Sequence, residues 1–214
     1  MNASIILQQP VGQAAELVLL FHGVGATPAD MASVGRRAAL TLPHAMVVSI
    51  AAPQPSDFGR GLQWFSVQGV SEENRIARVG TALPVFVETI QWWQREARID
   101  AARTTLIGFS QGAIMSLAAT QLDAPPAYRV LAIAGRLASP IAAHQSAVNM
   151  HLFHGENDPI IPLQHSLAAL SRFDAVGASA TLDTFAGLGH GIDERVLARL
   201  SERLLETRHP GHVN

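Results

Sequence analysis

Three side chains in this 214-residue chain have the types that covalent acyl transfer needs, namely Ser110, Asp158 and His190. Ser110 lies in Thr104-Thr105-Leu106-Ile107-Gly108-Phe109-Ser110-Gln111-Gly112-Ala113, a short apolar run, a five-residue turn and the start of a second apolar run. A serine presented on so tight a turn tolerates only glycine two positions to either side, because larger side chains would collide. Asp158 follows the apolar run His151-Leu152-Phe153-His154 in a polar turn that ends at Pro162, and His190 sits in Gly187-Leu188-Gly189-His190-Gly191 behind another apolar run. A hydroxyl, a base to take its proton and a carboxylate to orient the base make a nucleophile.

The elements that must position them read as strands alternating with helices. Strands are expected at 4–8 (a marginal edge), 16–21, 45–50, 104–107, 128–134, 148–153 and 178–185. Helices are expected at 28–40, 72–98, from Ser110 to near Asp123, and at 163–174 and 192–206. Glu16–Phe21 is apolar without alternation, which suits burial on both faces. Pro28 suits a first helical turn, and Pro84 should kink or split the 72–98 helix, whose apolar side is Ile76, Val79, Leu83, Phe86, Ile90, Trp93 and Ala97. Glu72, Glu73, Arg75, Glu88, Arg95, Glu96 and Arg98 read as its solvated faces, and Trp92 and Trp93 as packing residues. Strand then helix, repeated, requires a mostly parallel sheet with right-handed crossovers and helices on both faces. The fold class is therefore α/β, and the order Ser110, Asp158, His190 is that of an α/β-hydrolase triad.

Composition narrows the function classes. One domain over 1–214 is the default at this size, with 207–214 a frayed tail. A formal charge of −2 with 15% charged residues gives no reason to expect a nucleic-acid partner. There are no cysteines, so thiolate and disulfide chemistry are excluded. No apolar run reaches the roughly 18 residues of a membrane span, and the first ten residues carry no leader pattern, so a cytoplasmic protein without stable membrane insertion is expected. The Gly-rich segment His22-Gly23-Val24-Gly25 lacks the lysine of a phosphate loop, and no cofactor or metal is expected. His151 and His154 fall on opposite faces of a strand, and His209 and His212 form only a loose tail pair.

Taken together, these motifs resemble the carboxylesterase/phospholipase family of small serine hydrolases that includes the acyl-protein thioesterases, in its bacterial esterase branch. The likeness rests on His22-Gly23-Val24-Gly25, Trp64-Phe65, Gly108 to Gly112, Gly155 to Pro162 and Gly187 to His190. The resemblance implies Ser110 as nucleophile, Asp158 as orienting carboxylate, His190 as base, and the backbone N–H groups of Val24 and Gln111 as oxyanion donors. It implies a small-molecule acyl ester as substrate, and a monomer or homodimer. The departures are Ser66, where the family commonly has Asp, and Ala113 in place of a second Gly after the elbow.

The loop from Pro53 to Gln68 carries Phe58, Leu62, Trp64 and Phe65, and with Leu188 it is expected to form an open apolar slot suited to short and medium acyl chains. Trp64 and Phe65 could equally anchor the loop to the core. A lysophospholipase or acyl-thioesterase is the alternative reading, and a catalytically silent binding protein of the same fold is the non-enzymatic one. His22 and His154 compete for the role of base, and Asp174, Asp183 and Asp193 for that of carboxylate; Asp57 and Asp100 read as turn residues.

Overall fold

A computed structural model describes residues 4–138 and 148–206 of the chain. Its elements in chain order begin with β1 (Ile5–Gln8), β2 (Glu16–Phe21), a 3₁₀ turn at Pro28–Met31 leading into α1 (Ala32–Thr41), and β3 (Ala45–Ile50). Two-residue strands β4 (Gln54–Pro55) and β5 (Leu62–Gln63) lie within the long loop, which is followed by α2 (Glu72–Ala97), β6 (Thr104–Phe109) and α3 (Gln111–Ala119). The chain continues with β7 (Arg129–Ile133), β8 (Asn149–Gly155), α4 (Gln164–Ala175), β9 (Ala180–Phe185) and α5 (Glu194–Leu205). Residues 139–147, between the strands expected at 128–134 and 148–153, lie outside the described residues, and so does the tail 207–214.

Seven strands form one sheet in the order β1-β3-β2-β6-β7-β8-β9, parallel throughout except that β1 runs antiparallel to β3 at the edge. Parallel strands place all their C-terminal ends, and the loops that leave them, along one border of the sheet. Leu17, Leu19, Phe21, Leu106 and Leu152 face a core shared with α2, α3 and α4, whereas Val18, Leu20, Ile107 and Phe153 face α1 and α5. Burial on both faces accounts for the unbroken apolar runs of the central strands. The buried Arg129 ties the sheet to α5 by donating from Nη1 to the carbonyl of Leu204 at 2.7 Å, which serves one of the helix's last carbonyls. Among the described residues no helix is long and apolar enough to cross a membrane.

Helix α2 is one element and not two abutting ones. It runs unbroken from Glu72 to Ala97 through Pro84. Proline removes the bond to the carbonyl four residues earlier, here Gly80, and Gly80 is exposed, so water can serve that oxygen. Burial of Val79, Phe86, Ile90, Trp93 and Ala97 along one side holds the helix together, while Ile76 is 51% exposed. Trp92 and Trp93 pack edge to face with ring centroids 4.7 Å apart. Glu72 is more than a solvated residue, since it pairs with both guanidinium arms of Arg136 and with Arg75.

His151 makes the fold sensitive to acid. Its ring is 6% exposed on the α5 side of β8, with Nδ1 2.9 Å from Thr181 Oγ1. Burial lowers its pKa from 6.5 to about 4, with the charge of Glu206 pulling the other way. The folded protein therefore binds this proton less readily than the unfolded chain does. Its contribution is fully present above pH 6.5 and is lost as pH falls toward 4, by about 3 kcal/mol. Denaturant unfolding of wild type and His151→Gln at a series of pH values should show a steeper loss in wild type over that window, and parallel curves would remove His151 as the cause.

Candidate active site

The elbow follows from steric demands that the sequence makes explicit. Ser110 has φ 52° and ψ −113°, a sparsely populated conformation for a non-glycine residue that costs about 1–3 kcal/mol. A Cβ on Gly112 would lie 2.1 Å from the carbonyl oxygen of Phe21, and one on Gly108 would lie 2.5 Å from the backbone of Gly112 and Ala113. Only glycine fits at either place. Ala113 stands where a second glycine was expected from the family pattern, and the facing Gly135 leaves room for its methyl group: a Cβ there would be 2.5 Å from that of Ala113. The strained turn is held by Ser110 N–H donating to Ile133 O at 2.9 Å and by Ile114 N–H donating to Ser110 O at 3.0 Å.

Ser110, Asp158 and His190 leave the C-terminal ends of β6, β8 and β9, and the parallel sheet brings them together. Ser110 Oγ lies 2.9 Å from His190 Nε2, and His190 Nδ1 lies 2.7 Å from Asp158 Oδ2. The loops carrying Asp158 and His190 are bonded to each other, with Glu156 N–H donating to Phe185 O at 3.0 Å and Asn157 N–H donating to Leu188 O at 2.9 Å. The Asp158 side chain is wholly buried. Burial pushes its pKa up, but the hydrogen bond from His190 and those from the backbone N–H groups of Ile161 and Ile160 outweigh this and hold the carboxyl below its usual range. An ionised Asp158 accepts from Nδ1–H, which leaves the Nε2 lone pair facing the serine hydroxyl.

The competing residues have other partners. His154 is buried, with Nε2 2.7 Å from Ile161 O and 3.4 Å from Asp158 Oδ2, and Nδ1 2.7 Å from Ser166 Oγ. Nε2–H therefore donates toward Ile161 and Asp158 while Nδ1 accepts from Ser166. Ala52 N–H donates to His22 Nε2 at 3.3 Å, so Nδ1 of that ring carries the proton given to Gly23 O at 2.7 Å. Burial lowers the pKa of His22, which suits a neutral structural ring. Asp183 is forked by Arg203 at 2.9 and 3.0 Å, and Asp193 caps α5 by accepting from Arg195 and Val196 N–H. Asp174 belongs to α4, away from these loops in the chain.

The turn carrying Val24 lies over the serine: a Cβ on Gly23 would be 3.2 Å from Ser110 Cβ. Neither Val24 N–H nor Gln111 N–H finds an acceptor among the described residues. Gln111 begins α3, where first-turn N–H groups have no helical partner. Two unpaired donors flank a strained serine.

The long loop departs from the expected slot. The Trp64 ring is 1% exposed and packs against Phe21 and Phe86, with centroids 5.9 and 4.7 Å away, so it anchors the loop in the core. Of the two readings of Trp64, its ring packing is that of the loop anchor. Phe65 is buried as well, Leu62 and Leu188 are half-buried, and Phe58 is exposed. A cavity of about 510 Å³ bordered by Trp64 and Phe65 opens instead toward Arg78, Thr81 and Val85 of α2, and Ser110, Val24 and His190 are not part of its lining. Ser66 donates to Asp57 Oδ2 at 2.7 Å, and Val67 N–H donates to the same oxygen at 2.9 Å. Hydrogen bonds, first from Ser66 and then from Gln63, hold the Asp57 carboxyl below its usual range, so this residue is the loop's organising anion. The side chain of Gln111 was also missed in the sequence: it accepts from Trp64 N–H and donates to Phe65 O, both at 2.8 Å.

Comparison with known proteins bears on the chain as a whole. The family model for phospholipases and carboxylesterases matches residues 2–207. The chain belongs to the phospholipase/carboxylesterase family. Esterase YpfH of Escherichia coli (strain K12) is 45% identical to this carboxylesterase over 190 residues, which is 89% of this chain and 82% of that protein. The crystal structure of esterase PE8 matches with a TM-score of 0.86 at 28% identity, over 94% of this chain and 97% of that one. The Bacillus cereus carboxylesterase, at 16% identity and a TM-score of 0.79 over 94% of this chain and 92% of that one, shares the fold.

Proposed function

We propose that this carboxylesterase is a serine hydrolase that cleaves short- to medium-chain carboxylic esters through an acyl-enzyme on Ser110. The observation that carries the reading is the unbroken relay from Ser110 Oγ through His190 to Asp158, with contacts of 2.9 and 2.7 Å. His190 Nε2 takes the hydroxyl proton as Oγ bonds to the ester carbonyl carbon. The carbonyl oxygen becomes an oxyanion facing the N–H groups of Val24 and Gln111. Collapse breaks the bond to the alcohol, which leaves with the proton from His190, and water then repeats the sequence to release the acid. Asp158 stays ionised and steadies the imidazolium.

Acyl length follows from the surroundings. Leu62 is hydrogen-bonded to the turn that follows Val24 and Leu188 to the loop that leads to Asp158, and both are half-buried; the Trp64 ring is committed to the core, and no large lid is inserted among the described residues. An open slot covers only the first carbons of a chain. Each covered CH₂ contributes at most about 0.8 kcal/mol, or roughly fourfold in kcat/KM. With p-nitrophenyl esters from acetate to palmitate, kcat/KM should rise over the short chains, level off by octanoate and then stop rising. A climb continuing to palmitate would overturn the chain-length assignment in favour of a lysophospholipase or acyl-thioesterase.

A further inference from the structure

The segment Leu62–Phe65 touches both halves of the oxyanion site, although it carries none of the reacting groups. At one end, Gly25 N–H donates to Leu62 O at 3.0 Å and Leu62 N–H donates to Ala26 O at 2.8 Å, which pairs it with the turn that presents Val24. At the other end, the buried Gln111 side chain accepts from Trp64 N–H and donates to Phe65 O, both at 2.8 Å. Gln111 also directly follows Ser110 and begins α3, and its backbone N–H is the second of the two oxyanion donors assigned above. Between these contacts the segment is held in place by the buried Trp64 ring against Phe21 and Phe86. The fit is close at Gly61, where a Cβ would lie 1.9 Å from the carbonyl oxygen of Gly25.

We propose that Leu62–Phe65 is a strap that fixes the spacing of the two oxyanion donors, with the Gln111 side chain as its positioning residue. The inference rests on the oxyanion assignment made above. Val24 and Gln111 lie 87 positions apart and belong to different strand–helix units, β2–α1 and β6–α3. Sheet pairing and the close approach of Gly112 to Phe21 O and of Gly23 to Ser110 bring those units together, but among the described residues no backbone hydrogen bond joins the Val24 turn directly to the start of α3. A donor displaced by a fraction of an ångström loses much of its interaction with the tetrahedral oxyanion while ground-state binding changes little. The strap supplies that link by hydrogen-bonding to both units at once.

The test compares wild type, Gly61→Ala, Gln111→Met and Gln111→Glu on p-nitrophenyl butyrate, with kcat counted per serine titrated by a fluorophosphonate. Counting per titrated serine lets a partly folded preparation still report on the site. Gly61→Ala pushes the strap off the Gly25 turn, and Gln111→Met removes both side-chain bonds at the other end. Each should lower kcat per titrated site by about tenfold or more with KM within about threefold. Inhibition by an alkyl trifluoromethyl ketone, whose serine adduct carries the oxyanion, should weaken by the same factor as kcat/KM. Gln111→Glu sets an acceptor-only carboxylate against the Phe65 carbonyl and a buried negative charge beside the oxyanion, so it should lower kcat per site at least as far as Gln111→Met. A residue that only stabilised the fold would lower the melting temperature and the number of titratable sites but leave kcat per site unchanged. If both Gly61→Ala and Gln111→Met keep kcat per site within about twofold while Ser110→Ala is inactive, the strap is wrong and the hydrolase reading stands. Full turnover by Ser110→Ala would remove both.

Discussion

Ser110→Ala should lower kcat toward p-nitrophenyl butyrate by about 10³-fold or more while leaving the fold almost untouched. The chemical part of this expectation rests on one oxygen. Ser110 Oγ is the group 2.9 Å from His190 Nε2, and alanine offers nothing that the imidazole can deprotonate. The structural part rests on what Ser110 does not do. Its side chain makes no capping bond to α3, and its positive φ is imposed by Gly108, Gly112 and the bond to Ile133 O, none of which the substitution alters. Alanine at φ 52° carries strain similar to that of serine, so the melting temperature should stay within a few degrees. Labelling by a fluorophosphonate should vanish with activity. Wild-type turnover in purified Ser110→Ala would mean that another group attacks the ester.

The second large effect is expected for Asp158→Asn, with kcat falling by about 10³- to 10⁴-fold at neutral pH. Asn can keep the two backbone bonds at Oδ1, from Ile160 N–H at 2.8 Å and Ile161 N–H at 2.9 Å, so the loop should retain its shape. Its amide NH₂ then faces His190 Nδ1, where the carboxylate accepted a hydrogen bond at 2.7 Å. Two donors cannot share that contact, and the imidazole moves its proton to Nε2. A protonated Nε2 cannot take the proton of Ser110, and the imidazolium that forms later has lost its counter-charge. Crystallography or circular dichroism should show an unchanged fold beside the kinetic loss, which separates orientation from unfolding. Equal kcat in the two proteins would transfer the orienting role to another carboxylate; Asp183, held by Arg203 and Arg199, would have to break those ion pairs to take it.

Where sequence reading succeeded and where it fell short can be traced to particular residues. The strands Glu16–Phe21, Thr104–Phe109 and Asn149–Gly155 were legible, the last two short by two residues at the C-terminal end, because a strand buried on both faces is mostly apolar without alternation, and that pattern is local. The elbow was legible because the glycines at 108 and 112 answer collisions within a few residues or with the adjacent strand. Pro84 left a split of the helix open because the helix-breaking rule is also local, whereas α2 is kept as one element by the burial of Val79, Phe86, Ile90, Trp93 and Ala97, and Gly80 is exposed to water. Ser66 read as an unexplained departure until the fold brought it to Asp57.

By itself, then, the amino-acid sequence determined the alternation of strands and helices, the strained serine and the chain order of hydroxyl, carboxylate and imidazole. Each of these is written in short-range spacing and side-chain size. The tertiary structure decided which histidine meets the serine, sending His22 to Ala52 and His154 to Ser166 while leaving His190 between Ser110 and Asp158. It also decided that the Trp64 ring belongs to the core and that Gln111 grips the chain 46 and 47 positions away. Such contacts depend on how a parallel sheet stacks distant loops along one border, and no local pattern of residues encodes that distance.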